Sequence, residues 1–189
     1  MFCSCGRRAT LLKDFRKSMN GCGKIVATDM SPVAPALFMA DETYLVPRID
    51  DPSYYEHVLD ICEKSKVKAI TTLIDPEIEI LAKNREDLLS KGILPLCPAD
   101  WTARLCYDKY EMFKYLHDKG VRTILTYNSL EGFKNGLEKG EISFPVFMKP
   151  INGSGSVGIG KVNSWEEAEA KFKDGKFTYI IQELMTGGD

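Results

Sequence analysis

Apolar and polar positions alternate between two periods along the first hundred residues, and the alternation lays out strands and helices in turn. Lys24 to Thr28 is a short β-branched run ending at Asp29, and Thr43 to Val46 is another, closed by Pro47. Such runs bounded by polar or proline residues read as buried strands. Asp51-Pro52 then opens a helical stretch, with Tyr55, Val58, Leu59 and Cys62 recurring at three- and four-residue spacing. Lys68 to Leu73 is the next strand. Asp75-Pro76 opens a helix through Leu89, with Ile78, Leu81, Ala82 and Leu88 inward and Gly92 as the stop. Ile93 to Leu96 follows as a strand. Strands alternating with helices predict a parallel sheet with helices on both faces. The start fits less well. Residues 6–19 read as a loop and helix, and only Met1 to Ser4 can supply a preceding strand, so the expectation is that the usual opening strand is missing.

The pattern changes near Trp101. Asp108 to Lys119 is an amphipathic helix with Tyr110, Phe113 and Leu116 inward and Gly120 at its end. A strand at Arg122 to Thr126, a helix near Leu130 to Leu137 and a strand at Phe144 to Lys149 follow. A Gly/Ser-rich stretch runs from Asn152 to Gly160, and Gly158 to Val162 can resume as a strand. Ser164 caps a helix, with Glu167 three residues on to complete a capping box. Thr178 to Leu184 is a buried strand, and Gly187-Gly188-Asp189 reads as a turn. Two domains are expected, over residues 1–100 and 101–189.

Composition narrows the classes. The chain has 189 residues, net charge -2, 44% hydrophobic and 28% charged residues, which suits a globular protein and offers nothing that attracts nucleic acid or an acidic membrane. No apolar run nears the roughly 20 residues that span a bilayer, and the N-terminus lacks the pattern of a signal peptide. The expected setting is cytoplasmic. The six cysteines, at positions 3, 5, 22, 62, 97 and 106, form no paired zinc knuckles. They read as reduced thiols, with Cys62 and Cys97 as core residues and Cys3 and Cys5 as candidates for a ligand's neighbourhood. No metal ligand and no catalytic residue is assigned within the chain.

The stretch from Phe147 to Gly160 carries the most chemistry. Lys149-Pro150 is followed by Gly153, Ser154, Gly155, Ser156 and Gly158. Glycines let backbone N–H groups close around phosphate oxygens. A Rossmann dinucleotide loop runs directly into a helix, whereas this one runs into a strand, and no GK[ST] ends it. The segment therefore reads as a flap joining two antiparallel strands, and an NAD-dependent oxidoreductase is disfavoured. Lys149 at its mouth can reach phosphates as a point charge, and Lys109 at the start of a helix is a second cation. An apolar strand ending in Gln182-Glu183 suits the edge of a nucleobase. Arg7 and Arg8, after a short strand and a glycine, are placed to meet an anionic substrate or to form a solvated first helical turn. Asp29 suits substrate contact or turn formation.

Taken together these segments resemble the ATP-grasp superfamily, over essentially the whole chain. The resemblance rests on the helix opening at Lys109, the Phe147-Met148-Lys149-Pro150 strand, the glycine-rich flap, and the Gln182-Glu183 strand end. Ser4 to Arg8, and Ile74 to Glu77, make proteins similar to the carbamoyl-phosphate synthase large subunit the nearest likeness. The resemblance implies an α/β fold, with a pre-ATP-grasp, Rossmann-like parallel-sheet domain followed by the first, smaller α+β lobe of an ATP-grasp domain. It implies that Lys109 and Lys149 bind nucleotide, that Gly153 to Gly158 form the flap, and that Gln182 and Glu183 form the hinge beside the base. Arg7, Arg8, Asp75 and Glu77 are the candidates for substrate. ATP and Mg²⁺ are the implied cofactors, with the ribose acid, metal ligands and transfer-site arginine expected beyond residue 189. The implied activity is that of an ATP-dependent, C–N bond-forming ligase acting on a small carboxylate-like substrate through an acyl phosphate, with no turnover expected from these 189 residues alone. The alternative is a non-catalytic nucleotide-binding or interaction module that works as a homodimer or with a partner chain.

Overall fold

The structure, a computed structural model, describes residues 1–153 and 155–185. The chain divides into two compact units, residues 1–103 and 104–189.

The first unit is built on a five-stranded parallel sheet. Its strands are β1 (Phe2–Cys3), β2 (Val26–Asp29), β3 (Glu42–Leu45), β4 (Ala69–Thr72) and β5 (Leu94–Pro95), in the order β3-β2-β1-β4-β5. The opening strand expected to be missing is therefore present, and it is the central one. It is short, but its backbone is fully used: the Met1 amine donates to the Ala69 carbonyl at 2.6 Å and the Thr71 N–H donates to the Met1 carbonyl at 3.0 Å. Two residues make a poor periodic signal, which is why the pattern alone understates this strand.

Helices α1 (Ala9–Met19), α2 (Tyr54–Lys64), α3 (Asp75–Lys83) and α4 (Arg85–Ser90) connect the strands. The single helix expected from Asp75 to Leu89 breaks at Asn84, whose side-chain amide turns back onto the Ile80 carbonyl at 2.8 Å. Asparagine side chains offer the backbone such an alternative to continued helix. In α2, Tyr54, Val58, Ile61 and Cys62 form the buried stripe, one position off the expected register at its start. Asp51 stays outside the helix and makes a turn by accepting from the Ser53 N–H at 2.8 Å. Two apolar clusters flank the sheet, one around Val58, Ile70, Leu81 and Leu88, the other around Phe2, Leu12, Ile25 and Ala27. Cys3 and Cys5 are wholly buried in these clusters as core residues.

Helix α5 (Asp100–Tyr107) spans the division between the units. The second unit contains α6 (Lys109–Asp118), β6 (Thr126–Tyr127), α7 (Leu130–Glu138), β7 (Val146–Pro150), β8 (Gly160–Val162), α8 (Trp165–Lys173) and β9 (Tyr179–Glu183). Its four strands are antiparallel, in the order β6-β9-β7-β8. The strand expected from Arg122 shrinks to Thr126-Tyr127. The apolar residues of α6 are only half-buried, whereas an inward stripe was expected. Helices α7 and α8 cover the face that carries Val146, Met148, Tyr179 and Ile181. Phe133 of α7 is fully buried there, stacked on Trp165 at 6.0 Å and edge-on to Phe144 at 5.5 Å. Ser164 and Glu167 form the anticipated start of α8: the serine hydroxyl accepts from the Glu167 N–H and the glutamate accepts from the Asn163 N–H at 2.8 Å.

Phe133→Ala removes the ring on which this second core closes, and loss of a buried aromatic side chain costs about 3–5 kcal/mol. Urea denaturation of the variant should show the loss; a change under about 1 kcal/mol would mean that this aromatic cluster is not the core of the unit.

Candidate functional site

The second unit gathers most of the residues singled out above. The segment after β7 returns as β8, with Phe147 paired to Lys161 and Met148 to Gly160, so the glycine-rich stretch is a loop between antiparallel strands and not a strand-to-helix turn. Its backbone is left-handed at Gly153, Gly155, Ser156 and Gly158, a conformation that glycine adopts without steric cost. Gly158 also needs its missing side chain, because a Cβ would lie 2.8 Å from the Phe177 ring and 3.0 Å from Pro150. Gly153, Gly155 and Ser156 are exposed; Ser154 lies outside the described residues.

Alternation along β7 and β9 sorts the side chains into two faces. Val146, Met148 and Ile181 face the helices. Phe147, Lys149, Ile180 and Gln182 share the other face, because Phe147 pairs with Gln182 and Lys149 with Ile180. Thr126 joins them through its pairing with Gln182. Lys149 is half-buried, and its ammonium is made less basic first by burial and then by the positive charge of Lys109.

Lys109 reaches this place by a specific local device. Asp108 caps α6, its carboxylate accepting from the N–H groups of Tyr110 and Glu111 at 2.9 Å each. The Lys109 N–H donates to the Ile151 carbonyl at 3.0 Å, and its ammonium donates to the carbonyls of Ile151 and Gly153 at 3.3 and 3.0 Å. The first turn of α6 is thereby tied to the start of the loop, and two cations forty residues apart in sequence come together at its mouth.

Glu183 is separated from this group. It pairs with Val146 and so falls on the helix-side face, where it borders a shallow pocket of about 250 Å³ with Glu141, Ser143 and Pro145. Gln182 is the member of the Gln-Glu pair that shares a face with Lys149.

In the first unit, the loops after β1, β2 and β4 leave the carboxyl edge of the parallel sheet, where such sheets bind ligands. Arg7, Arg8 and Asp75 are exposed there. Glu77 is not: it is fully buried, accepting from the hydroxyls of Tyr54 and Thr72. Burial raises its carboxyl above the ordinary range, outweighing those bonds and further ones from Ser4 and Cys3. Asp29 is also committed internally, its two oxygens accepting from the Gly6 and Ser31 N–H groups at 2.8 and 2.9 Å. The turn-forming role expected of it is thus seen in both bonds. Two cavities of this unit, about 630 and 570 Å³, are lined by Lys66, Val67 and Lys68 at the opposite, amino edge of the sheet, away from these loops. Size alone therefore does not locate the chemistry.

Among the described residues no group of three or more His, Cys, Asp or Glu side chains could hold a metal ion. Among the described residues, then, no set of side chains alone offers a complete Mg²⁺ site. No helix among the described residues is long and apolar enough to cross a membrane.

The fold is consistent with the N-terminal portion of an ATP-grasp fold. The biotin carboxylase domain of 2-oxoglutarate carboxylase from Hydrogenobacter thermophilus superposes with a TM-score of 0.74 at 21% identity, covering 98% of this chain and 44% of that one. N5-carboxyaminoimidazole ribonucleotide synthetase from Thermus thermophilus gives 0.70 at 19% identity over 97% of this chain and 46% of that one. The L-amino acid ligase of Bacillus licheniformis gives 0.70 at 18%, over 98% and 44%. At such identities the likeness is one of fold, and the chain spans less than half the length of these proteins. More narrowly, the chain belongs to the PylC-like family, whose N-terminal domain matches residues 1–96. A D-alanine–D-alanine ligase from Corynebacterium jeikeium is 54% identical over 33 residues, 18% of this chain and 9% of that protein.

Glu77 yields a prediction with a definite sign. Its carboxyl titrates at a higher pH in the folded chain than its ordinary value of 4.5, so the folded state keeps a proton that the unfolded chain has released. The contribution is complete below about pH 4.5 and is lost as pH rises through the folded value. Glu77→Gln cannot titrate, so its urea midpoint should gain on that of wild type as pH rises from 4.5 to 8. Parallel curves would show that burial does not perturb this carboxyl.

Proposed function

We propose that this chain supplies the cationic, loop-bearing part of a nucleotide grip in an ATP-dependent ligase. The observation that carries the reading is the meeting of Lys149 and Lys109 at the mouth of a loop with four left-handed residues. Two like charges held together, both half-buried, raise each other's cost. A polyphosphate removes that cost, and loop N–H groups add donors to it. Lys109 would exchange its two carbonyl partners for phosphate oxygens, and the loop would be released to close over them.

The chemistry proposed for the whole protein is acyl activation. A carboxylate oxygen attacks the γ-phosphorus of ATP, the bond from that phosphorus to the bridging oxygen breaks, and ADP leaves with that oxygen. An amine then attacks the acyl carbon and inorganic phosphate departs. Catalysis of phosphoryl transfer is mainly positioning and charge neutralisation, and Lys109, Lys149 and the loop amides serve both. Mg²⁺ is the metal such chemistry uses. Gln182 lies on the same face as Lys149 and is proposed to meet the base. Ser154 and Glu183 belong to the same proposal, Glu183 through its backbone, since its side chain is on the other face. Arg7, Arg8 and Asp75 are proposed to meet the carboxylate-bearing substrate. A carbamoyl-phosphate synthase-like specificity rests on the Ser4–Arg8 and Ile74–Glu77 segments alone. The proposed division of labour puts substrate contacts in residues 1–100 and nucleotide contacts in 101–189.

Isothermal titration with ATP tests this. Losing a charged hydrogen-bonding group costs about 1.5–3 kcal/mol, so Lys149→Ala should weaken ATP binding by on the order of tenfold to a hundredfold, while Lys83→Ala leaves it unchanged. An unaltered Kd for a folded Lys149→Ala variant would sink the proposal.

A further inference from the structure

Gln182 does not hang freely from β9. Its side-chain nitrogen donates to the Thr126 hydroxyl at 2.7 Å, and that hydroxyl donates to the Ile124 carbonyl at 2.8 Å. The order of donors in this chain is forced. A backbone carbonyl can only accept, and a threonine hydroxyl has one proton. With the proton given to Ile124, the hydroxyl oxygen can only accept from Gln182. The amide therefore presents its NH₂ to Thr126, leaving its carbonyl oxygen for whatever lies on the half-exposed side of the residue. Thr126 is 3% exposed, so the relay is shielded from competing water.

We infer that Thr126 is a positioning residue that makes the site selective for a nucleobase with an exocyclic amine at the contacted edge. This rests on the reading that Lys149 and Lys109 grip a nucleoside triphosphate. With its oxygen outward, Gln182 accepts from the 6-amino group of an adenine-type purine. A 6-oxo purine sets its carbonyl against the glutamine oxygen, and both are left without a donor. The layout accommodates the rest of the ligand. Phe147 lies directly opposite Gln182 as an apolar surface for a ring, and Lys149 stands two residues further along β7, roughly 7 Å away at strand rise, a step a nucleoside covers. Reversing the amide would aim its oxygen at the oxygen of a buried hydroxyl whose proton is already given to Ile124, and that mismatch holds the selectivity in place.

The test compares ATP with ITP, which replaces the 6-amino group by a carbonyl. Competition titration on wild type should give ATP at least about tenfold tighter, the scale of one mismatched hydrogen bond. In Thr126→Val the amide can turn to suit either base, so the ratio should fall towards one, with ITP gaining as ATP loses. Thr126→Ser restores the hydroxyl and should restore the ratio. Thr126→Ala is the substitute if valine prevents folding, judged by circular dichroism. Lys149→Ala should weaken both nucleotides and leave their ratio intact. A wild-type ratio near one, an unchanged ratio in Thr126→Val or Thr126→Ala, or a serine variant that fails to restore it would overturn the inference while leaving the nucleotide grip standing. Failure of wild type to bind either nucleotide would overturn both.

Discussion

The register of β7 against β9 is the constraint on which the second unit turns. It pairs Lys149 with Ile180 and Phe147 with Gln182, and with period-two alternation it decides which side chains meet the helices and which share the opposite face with Lys149. A slip of one residue would send Lys149 into the Phe133 and Trp165 core and bring Met148 to the other face. The buried stripe of Val146, Met148 and Ile181 against α7 and α8 makes that slip prohibitive. Core packing on one face thus fixes the chemistry on the other.

The same economy operates in the first unit, with buried acids in place of a strand register. Asp29 and Glu77 both lie below the sheet's carboxyl edge, and both are tied to the segment following β1. Asp29 holds the Gly6 N–H, and Glu77 interacts with Ser4. Ser4 and Gly6 have left-handed backbones, a costly state for serine, and these bonds help to maintain it. Arg7 and Arg8 follow directly. The segment that carries them is braced by two buried carboxyl groups, so Glu77, expected as a substrate contact, acts one layer beneath the surface.

That difference marks what the sequence made legible. The alternating strands and helices, the hairpin character of residues 151–159, and the cap at Ser164 were readable because each rests on local spacing or local turn chemistry. The α/β class and the ATP-grasp likeness followed from their order. The central strand β1 was underread because two residues carry no period, and the break at Asn84 because a side chain competing for its own helix leaves the apolar spacing of Leu81, Ala82 and Leu88 intact. The burial of Glu77 was illegible in principle: its partners Tyr54 and Thr72 come from other elements, and only the packed sheet brings them to it. Glu183 shows the same limit at one residue's resolution, since nothing local says which of two adjacent polar residues will share a face with Lys149.

Lys109 shows how a local signal and a long-range one combine. The cap by Asp108 belongs to α6 and would form in any context that contained that helix. The bonds from Lys109 to Ile151 and Gly153 need the completed hairpin. They orient the ammonium and tie the start of α6 to the first residues of the loop with one side chain. A surface lysine in the same position would add charge but no coupling. Here the same ammonium bridges two loop carbonyls, so the position of the helix start and that of the loop start are linked through the donors of a single nitrogen.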